Sequence, residues 1–204
     1  MNPAASTSAS PSVARPFALP GLARRAVTVV LGSLFVAVCA HIAFPLWFTP
    51  VPVTLQTFAV LLLGLVLSPG LAASALVLYL IEGMVGLPVL APTGTIGFLH
   101  IFGPTGGYLL AYPAAAALTG FLRRRFSRSA SARAAFAASA FAAAIGSAVI
   151  LLSGAVWFGI LTRQSATVVL AMTIAPFLAG DILKVIAAAG AATGLRRFRR
   201  APEL

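Results

Sequence analysis

Residues 175–184 read Ala175-Pro-Phe-Leu-Ala-Gly-Asp-Ile-Leu-Lys184, and this stretch decides the fold. It holds Asp181, one of three acids in a chain of 204 residues, and Lys184, the only lysine. Both lie inside an apolar segment, 168–195, long enough to cross a bilayer, for which about 20 residues suffice. A charge at the centre of a membrane helix costs about 2.5–3.5 kcal/mol, so it faces protein or a cavity rather than lipid. Three residues apart, the two groups share a helix face and neutralise each other in part. The pair is either an ion pair that locks helix packing or the polar floor of a ligand pocket. The second reading is preferred, because ionisable groups inside membranes mark functional sites by default.

The rest of the composition agrees with a membrane setting. The chain is 60% hydrophobic and 8% charged, with a mean hydropathy of +1.04. Soluble domains carry about 25% charged residues. The net charge of +11 suggests nucleic acid at first sight, yet the arginines cluster beside apolar runs, as topology determinants do. A nucleic-acid surface would spread them over a soluble face. The single cysteine, Cys39, excludes a disulfide framework. One domain is expected, an all-α integral membrane bundle over residues 24–200.

Outward from the central stretch, six spans are predicted at 26–44, 54–67, 71–87, 105–122, 134–161 and 168–195. Residues 1–23, rich in Ser, Ala and Pro, read as a disordered tail. Span one carries small residues, Ser33, Ala37 and Ala40, that suit either internal packing or docking of another subunit. His41 near its end reads as an interface residue. Pro45, Pro50 and Pro52 force an extended loop, with Trp47 at the level of an aromatic belt. Thr54 is a candidate N-cap. Gln56 and Thr57, polar at the start of a short apolar helix, require partners from protein, water or ligand.

Ser68-Pro69-Gly70 is a tight turn. Span three carries Tyr79 and Glu82, the acid being buried and paired, protonated or at the rim. The long connection 88–104 has the length of a functional loop. Glycines at its end, Gly106 and Gly107, permit close approach of a ligand or of a helix. The fifth span, dominated by Ala, Ser and Gly, should pack tightly. In the sixth, Pro176 either starts the helix or kinks it.

Six spans put both termini on one side. Arg15, Arg24, Arg25, the cluster Arg123–Arg125, Arg128 and Arg133, and the terminal arginines fall there, against Arg163 alone opposite. The positive-inside rule makes that side cytoplasmic. The loops 45–53, 88–104 and 162–167 then face outward, at the outer face of a bacterial inner membrane.

Several chemistries are absent. No Gly-x-x-x-x-Gly-Lys-[Ser/Thr] surrounds Lys184, so no ATP hydrolysis is expected of this chain. Two histidines and three acids on separate segments give no metal-ligand spacing, and no nucleophile elbow is present. An enzyme is not expected, and no cofactor is implied. A small channel or facilitator using the Asp181/Lys184 pair is a second function class. A purely structural subunit is a third.

Four motifs occur in order: Val51-Pro-Val-Thr-Leu-Gln-Thr57, Gly83-Met-Val-Gly-Leu-Pro88, Gly103-Pro-Thr-Gly-Gly-Tyr108 and Gly180-Asp-Ile-Leu-Lys184. Over about residues 24–195 the chain resembles the BioY family, the biotin-binding S components of energy-coupling-factor vitamin transporters. The resemblance implies a six-helix subunit that captures biotin from outside and works with a transmembrane coupling subunit and ATPase subunits. S components for other vitamins are the neighbouring alternative. It carries over Asp181 and Lys184 as ligand-site positions, with the loop Gly103–Tyr108, including Thr105, Gly106 and Gly107, as pocket wall. Tyr79 or Tyr108, with Phe98 or Trp47, would cover the apolar ring. Gln56 and Thr57 are further wall candidates, and the contacts of Thr95 and His100 stay open. The stripe Ser33, Ala37, Ala40 resembles the helix by which S components meet their coupling subunit.

Overall fold

The computed structural model describes residues 21–92, 96–126 and 131–198. The predicted tail (save its last three residues), Thr95, Arg128 and the terminal Arg199 and Arg200 lie outside the described residues. The chain runs α1 (Gly21–His41), β1 (Ala43–Leu46), β2 (Thr49–Thr54), α2 (Gln56–Val66), α3 (Pro69–Met84), α4 (Phe98–Ile101), α5 (Gly106–Phe126), α6 (Ala132–Thr162), α7 (Ala166–Thr173) and α8 (Leu178–Phe198). Among the described residues, α1, α6 and the Leu178–Arg196 part of α8 are long and apolar enough to cross a membrane. These helices are apolar outside as well as inside: Leu31 and Val38 on α1, Val156 and Ile160 on α6, and Ile182 and Leu183 on α8 are all exposed. A helix apolar all round belongs in lipid or in a large core.

The predicted first, fourth and fifth spans correspond to α1, α5 and α6, with ends displaced by a few residues. Three expectations are corrected. The second and third spans are helices of 11 and 16 residues, about 16 and 24 Å long, short of the ~30 Å hydrocarbon thickness. The extended loop after α1 is a β-hairpin, so the fold is mostly rather than wholly helical. Ala43 pairs with Thr54 and Phe44 with Val53, and the register is irregular around Pro45. In a two-stranded ribbon each strand has one free edge, where proline's missing N–H does no harm.

The third correction concerns span six, which is broken between α7 and α8 at residues 174–177. Pro176 has no N–H to offer the Met172 carbonyl, and that oxygen instead accepts from Thr49 Oγ1 at 3.0 Å. Phe177 N–H bonds to Ile174 O rather than to Thr173 O. The Thr173 carbonyl is thereby released, and it accepts from Tyr108 Oη at 2.8 Å. The Met172 and Thr173 carbonyls freed at the break are thus satisfied by other elements, which non-helical backbone in a membrane requires.

Ser68 caps α3 by accepting from Leu71 N–H, with Pro69 in the first turn. The N-cap of α2 is Leu55, although Thr54 Oγ1 still accepts from Gln56 N–H. Close helix crossings use glycine. A Cβ on Gly64 would lie 2.6 Å from Ala116 O, and one on Gly120 2.8 Å from Gly64 O. The core between these helices holds Tyr79, Leu61, Leu65, Leu76 and Ile150, all fully buried.

Candidate functional site

Helices α2, α5 and α8 all begin at one end of the bundle, the end opposite the arginine-rich C-termini of α5 and α8. Their first turns wall a narrow cavity of about 40 Å³ that is partly open to solvent. The hairpin contributes Val51, Pro52 and Thr54, and α2 contributes Gln56 and Thr57. From the loop before α5 comes Thr105, and from α5 itself Tyr108, Leu109 and Tyr112. Leu151 of α6 and Phe177, Asp181 and Lys184 complete the wall, with Ala91 and His100 on the loop side. A second cavity, lined by His41, Pro88 and Ile96 among others, shares Ala91 and His100 with the first.

The break before α8 puts Asp181 in that helix's first turn, where the macrodipole favours a carboxylate. Lys184 Nζ donates to Asp181 Oδ1 at 3.1 Å. Ser147 Oγ on α6 donates to Oδ2 at 2.8 Å. Asp181 is buried, and the Lys184 side chain is 11% exposed. A buried charge requires a partner of this kind. Each carboxylate oxygen retains a second lone pair and the ammonium further donors. The pair can therefore hold a polar ligand while remaining intact.

Of the predicted wall residues, the structure brings together Asp181, Lys184, Tyr108, Thr105, Gln56 and Thr57 around the cavity, and His100 with them. Gln56 Nε2 donates to Tyr79 Oη at 2.5 Å, while Gln56 Oε1 accepts from Thr54 Oγ1 at 3.0 Å. Thr57 Oγ1 is buried and has no partner. Tyr79 does not line the cavity; it is fully buried behind Gln56. Trp47, at the hairpin tip, and Phe98 are exposed and lie outside the wall.

Gly106 and Gly107 also stand behind the wall. A Cβ on Gly106 would fall 1.8 Å from Ile101 O, and one on Gly107 2.2 Å from Trp157 Cβ. Their small size serves the contact of α5 with α4 and α6, a contact reinforced by Trp157 Nε1 donating to Gly103 O at 2.9 Å. The stripe on α1 likewise faces inward: Ser33, Ala37 and Ala40 are buried. Ser33 donates to Glu82 on α3, and a Cβ on neighbouring Gly32 would meet Ala75. On the opposite side of α1, Leu31, Leu34 and Val38 are exposed.

Sequence reasoning missed Tyr112, Leu151, Phe177 and Ser147. The first three are apolar or aromatic residues in apolar spans, and nothing in the sequence marks which face the cavity. A serine one helix away from an isolated acid was the only available signal for Ser147.

Fold and site together define a small helical membrane protein with a narrow, largely apolar cavity that a buried ion pair lines. The BioY family pattern matches residues 6–201, and the chain belongs to the BioY family. The chain is similar to the probable biotin transporter BioY of Pyrococcus horikoshii, 36% identical over 167 residues (80% of this chain, 93% of the relative). It is also similar to the biotin transporter BioY of Rhodobacter capsulatus, 34% identical over 185 residues (84% and 94%). Biotin transporter BioY2 of Lactococcus lactis is 33% identical over 158 residues (78% and 82%). The crystal structure of an S-component for biotin from an ECF-type ABC transporter has the same fold, with a TM-score of 0.75 at 23% identity, over 88% of this chain and 95% of that one.

Proposed function

We propose that this chain captures biotin at the outer face of the cytoplasmic membrane, as the substrate-binding subunit of an energy-coupling-factor transporter. The observation that carries the reading is the Asp181–Lys184 pair at the wall of a largely apolar cavity. Biotin combines a ureido group, with N–H donors and a carbonyl acceptor, with an apolar bicyclic ring and a carboxylate tail. Asp181 accepts from the ureido N–H groups through its spare lone pairs, and Lys184 donates to an oxygen of the ligand. Phe177, Tyr112 and Leu151 cover the ring. Tyr108 supplies its ring face to the cavity, since its hydroxyl is already bonded to Thr173 O.

The orientation follows from charge. Arg24 and Arg25 of α1, Arg123–Arg125 of α5, Arg133 of α6 and Arg196 of α8 sit at the end away from the cavity. The positive-inside rule places that end, and both termini, in the cytoplasm. Six passes of the chain, with α2 and α3 as short ones and α7 and α8 as one broken pass, satisfy this arrangement. With no phosphate-binding loop in the sequence, ATP is consumed by partner ATPase subunits joined through a transmembrane coupling subunit.

The test is equilibrium binding of radiolabelled biotin to the detergent-purified chain. Saturable tight binding, displaced by unlabelled biotin, is expected. Failure of a folded protein to bind would move the assignment to another vitamin, and then to a channel, which predicts flux through reconstituted chain without tight binding.

A further inference from the structure

The described residues include two carboxylates, and both are engaged elsewhere. Glu82 accepts from Ser33, and Asp181 from Ser147 and Lys184. The remaining acid, Glu203, lies outside the described residues. At the basic end of the bundle Arg123 of α5 is half-buried with Arg196 of α8 and Arg124 close enough to repel it. Its Nε and Nη2 are sealed from solvent and meet no acceptor. A guanidinium stays charged at neutral pH.

A buried guanidinium with unmet N–H groups is destabilising until an acceptor reaches it. The dipoles at the C-termini of α5 and α8 favour cations there, yet they supply no acceptor for the sealed N–H groups. Nε and one Nη together form a straight edge of the guanidinium fork, and that edge matches two oxygens of a phosphate.

We propose that this edge of Arg123, flanked by Arg196 and Arg124, is a site for a phosphate group at the basic end of the bundle. An anionic phospholipid or soluble phosphate can supply it, and the surroundings favour the lipid. Exposed Phe121 and Phe126 lie on α5 on either side of Arg123, at a helix end where aromatic rings settle at headgroup level. The next segment begins with exposed Arg133, and Phe141 of α6 stands edge-on to Phe126. The headgroup reaches this edge when the surface over it opens, and the acyl chains lie along the exposed face of α5.

The experiment is thermal unfolding of the full chain in neutral detergent, followed by tryptophan fluorescence. Phosphatidylglycerol, phosphatidylcholine or inorganic phosphate is added to wild type, Arg123→Met and Arg123→Lys. Phosphatidylglycerol should raise the wild-type Tm by about 5 °C, with no rise from phosphatidylcholine. Arg123→Met should lose this rise, and Arg123→Lys, which keeps the charge but lacks the fork, should lose most of it. Without added lipid, Arg123→Met should melt no lower than wild type. A full response to inorganic phosphate alone assigns the soluble source, and its absence assigns the lipid. The proposal is overturned if wild type responds to neither anion, or if Arg123→Met responds undiminished. It is also overturned if Arg123→Met melts far below wild type in neutral detergent, because the protein itself would then supply the missing acceptor.

Discussion

Ser147 on α6 and Asp181 on α8 meet through a 2.8 Å hydrogen bond across the seam between the two helices. The bond fixes one carboxylate oxygen, and Lys184 fixes the other from one turn along α8. The rotamer of Asp181 is therefore set from two sides before a ligand arrives. Hydrogen bonds to a charged group contribute about 1.5–3 kcal/mol. Ser147→Ala should weaken biotin binding about tenfold with the fold intact, while Asp181→Asn, which strands Lys184 without its counter-charge, should weaken it more. Phe98→Ala, on an exposed ring outside the cavity, should change little. Titrations of all three with labelled biotin check this, and equal affinity of Asp181→Asn and wild type would sink the role given to the pair.

Thr57 gives a prediction with two signs. Its hydroxyl is buried in the cavity wall without a partner, and an unmet buried polar group costs about 1–3 kcal/mol. Thr57→Val keeps the shape and removes that cost, so the empty protein should melt at the same temperature or higher. Biotin affinity should fall at the same time, through loss of the hydrogen bond expected between the ligand and this hydroxyl. Thermal melts with and without biotin measure both effects, and a variant equal to wild type in affinity would leave Thr57 outside the binding contacts.

The glycines of the two diagnostic motifs should separate sharply. A Cβ on Gly107 would meet Trp157 Cβ at 2.2 Å and Ser153 O at 2.6 Å, whereas nothing lies within 4 Å of one on Gly180. Gly107→Ala should destabilise by about 2–3 kcal/mol through overpacking of α5 on α6. Gly180→Ala, inside α8, should be neutral or stabilise by about 0.5–1 kcal/mol. Denaturation in mild detergent distinguishes them; a stable Gly107→Ala would mean that the glycine serves the ligand and not the seam.

Much of this was legible in the sequence for a physical reason. Charge inside a membrane is so costly that Asp181 and Lys184 must face the protein interior or a cavity, and long apolar runs announce α1, α5 and α6. What stayed hidden lacks such a penalty. Tyr79 and Tyr112 are both tyrosines in apolar spans, and only helix rotation decides that Tyr112 lines the cavity while Tyr79 supports Gln56 from behind. Ser33, Ala37 and Ala40 suit any close helix contact equally, so composition could not choose between α3 and another subunit. Pro45, Pro50 and Pro52 excluded a helix but did not reveal that Ala43–Leu46 pairs with Thr49–Thr54. Pro176 announced a perturbation, although the carbonyl acceptors it releases became visible only with Thr49 and Tyr108 in place.

Those two acceptors make the last prediction. Tyr108 Oη holds the Thr173 carbonyl and Thr49 Oγ1 holds that of Met172, so the break between α7 and α8 is maintained by its neighbours as well as by Pro176. Pro176→Ala restores an N–H that can compete for Met172 O, yet the Thr173 carbonyl remains bonded to α5. The variant should keep the break, with biotin affinity within a few-fold of wild type. Tyr108→Phe instead leaves a fully buried residue's carbonyl without its donor, at about 1–3 kcal/mol. It also loosens the segment that carries Phe177 and Asp181 into the cavity. Stability and biotin affinity should fall together in Tyr108→Phe and hold in Pro176→Ala. The reverse order, with Pro176→Ala the more damaging change, would show that proline alone maintains the break and that the tyrosine only fills space beside it.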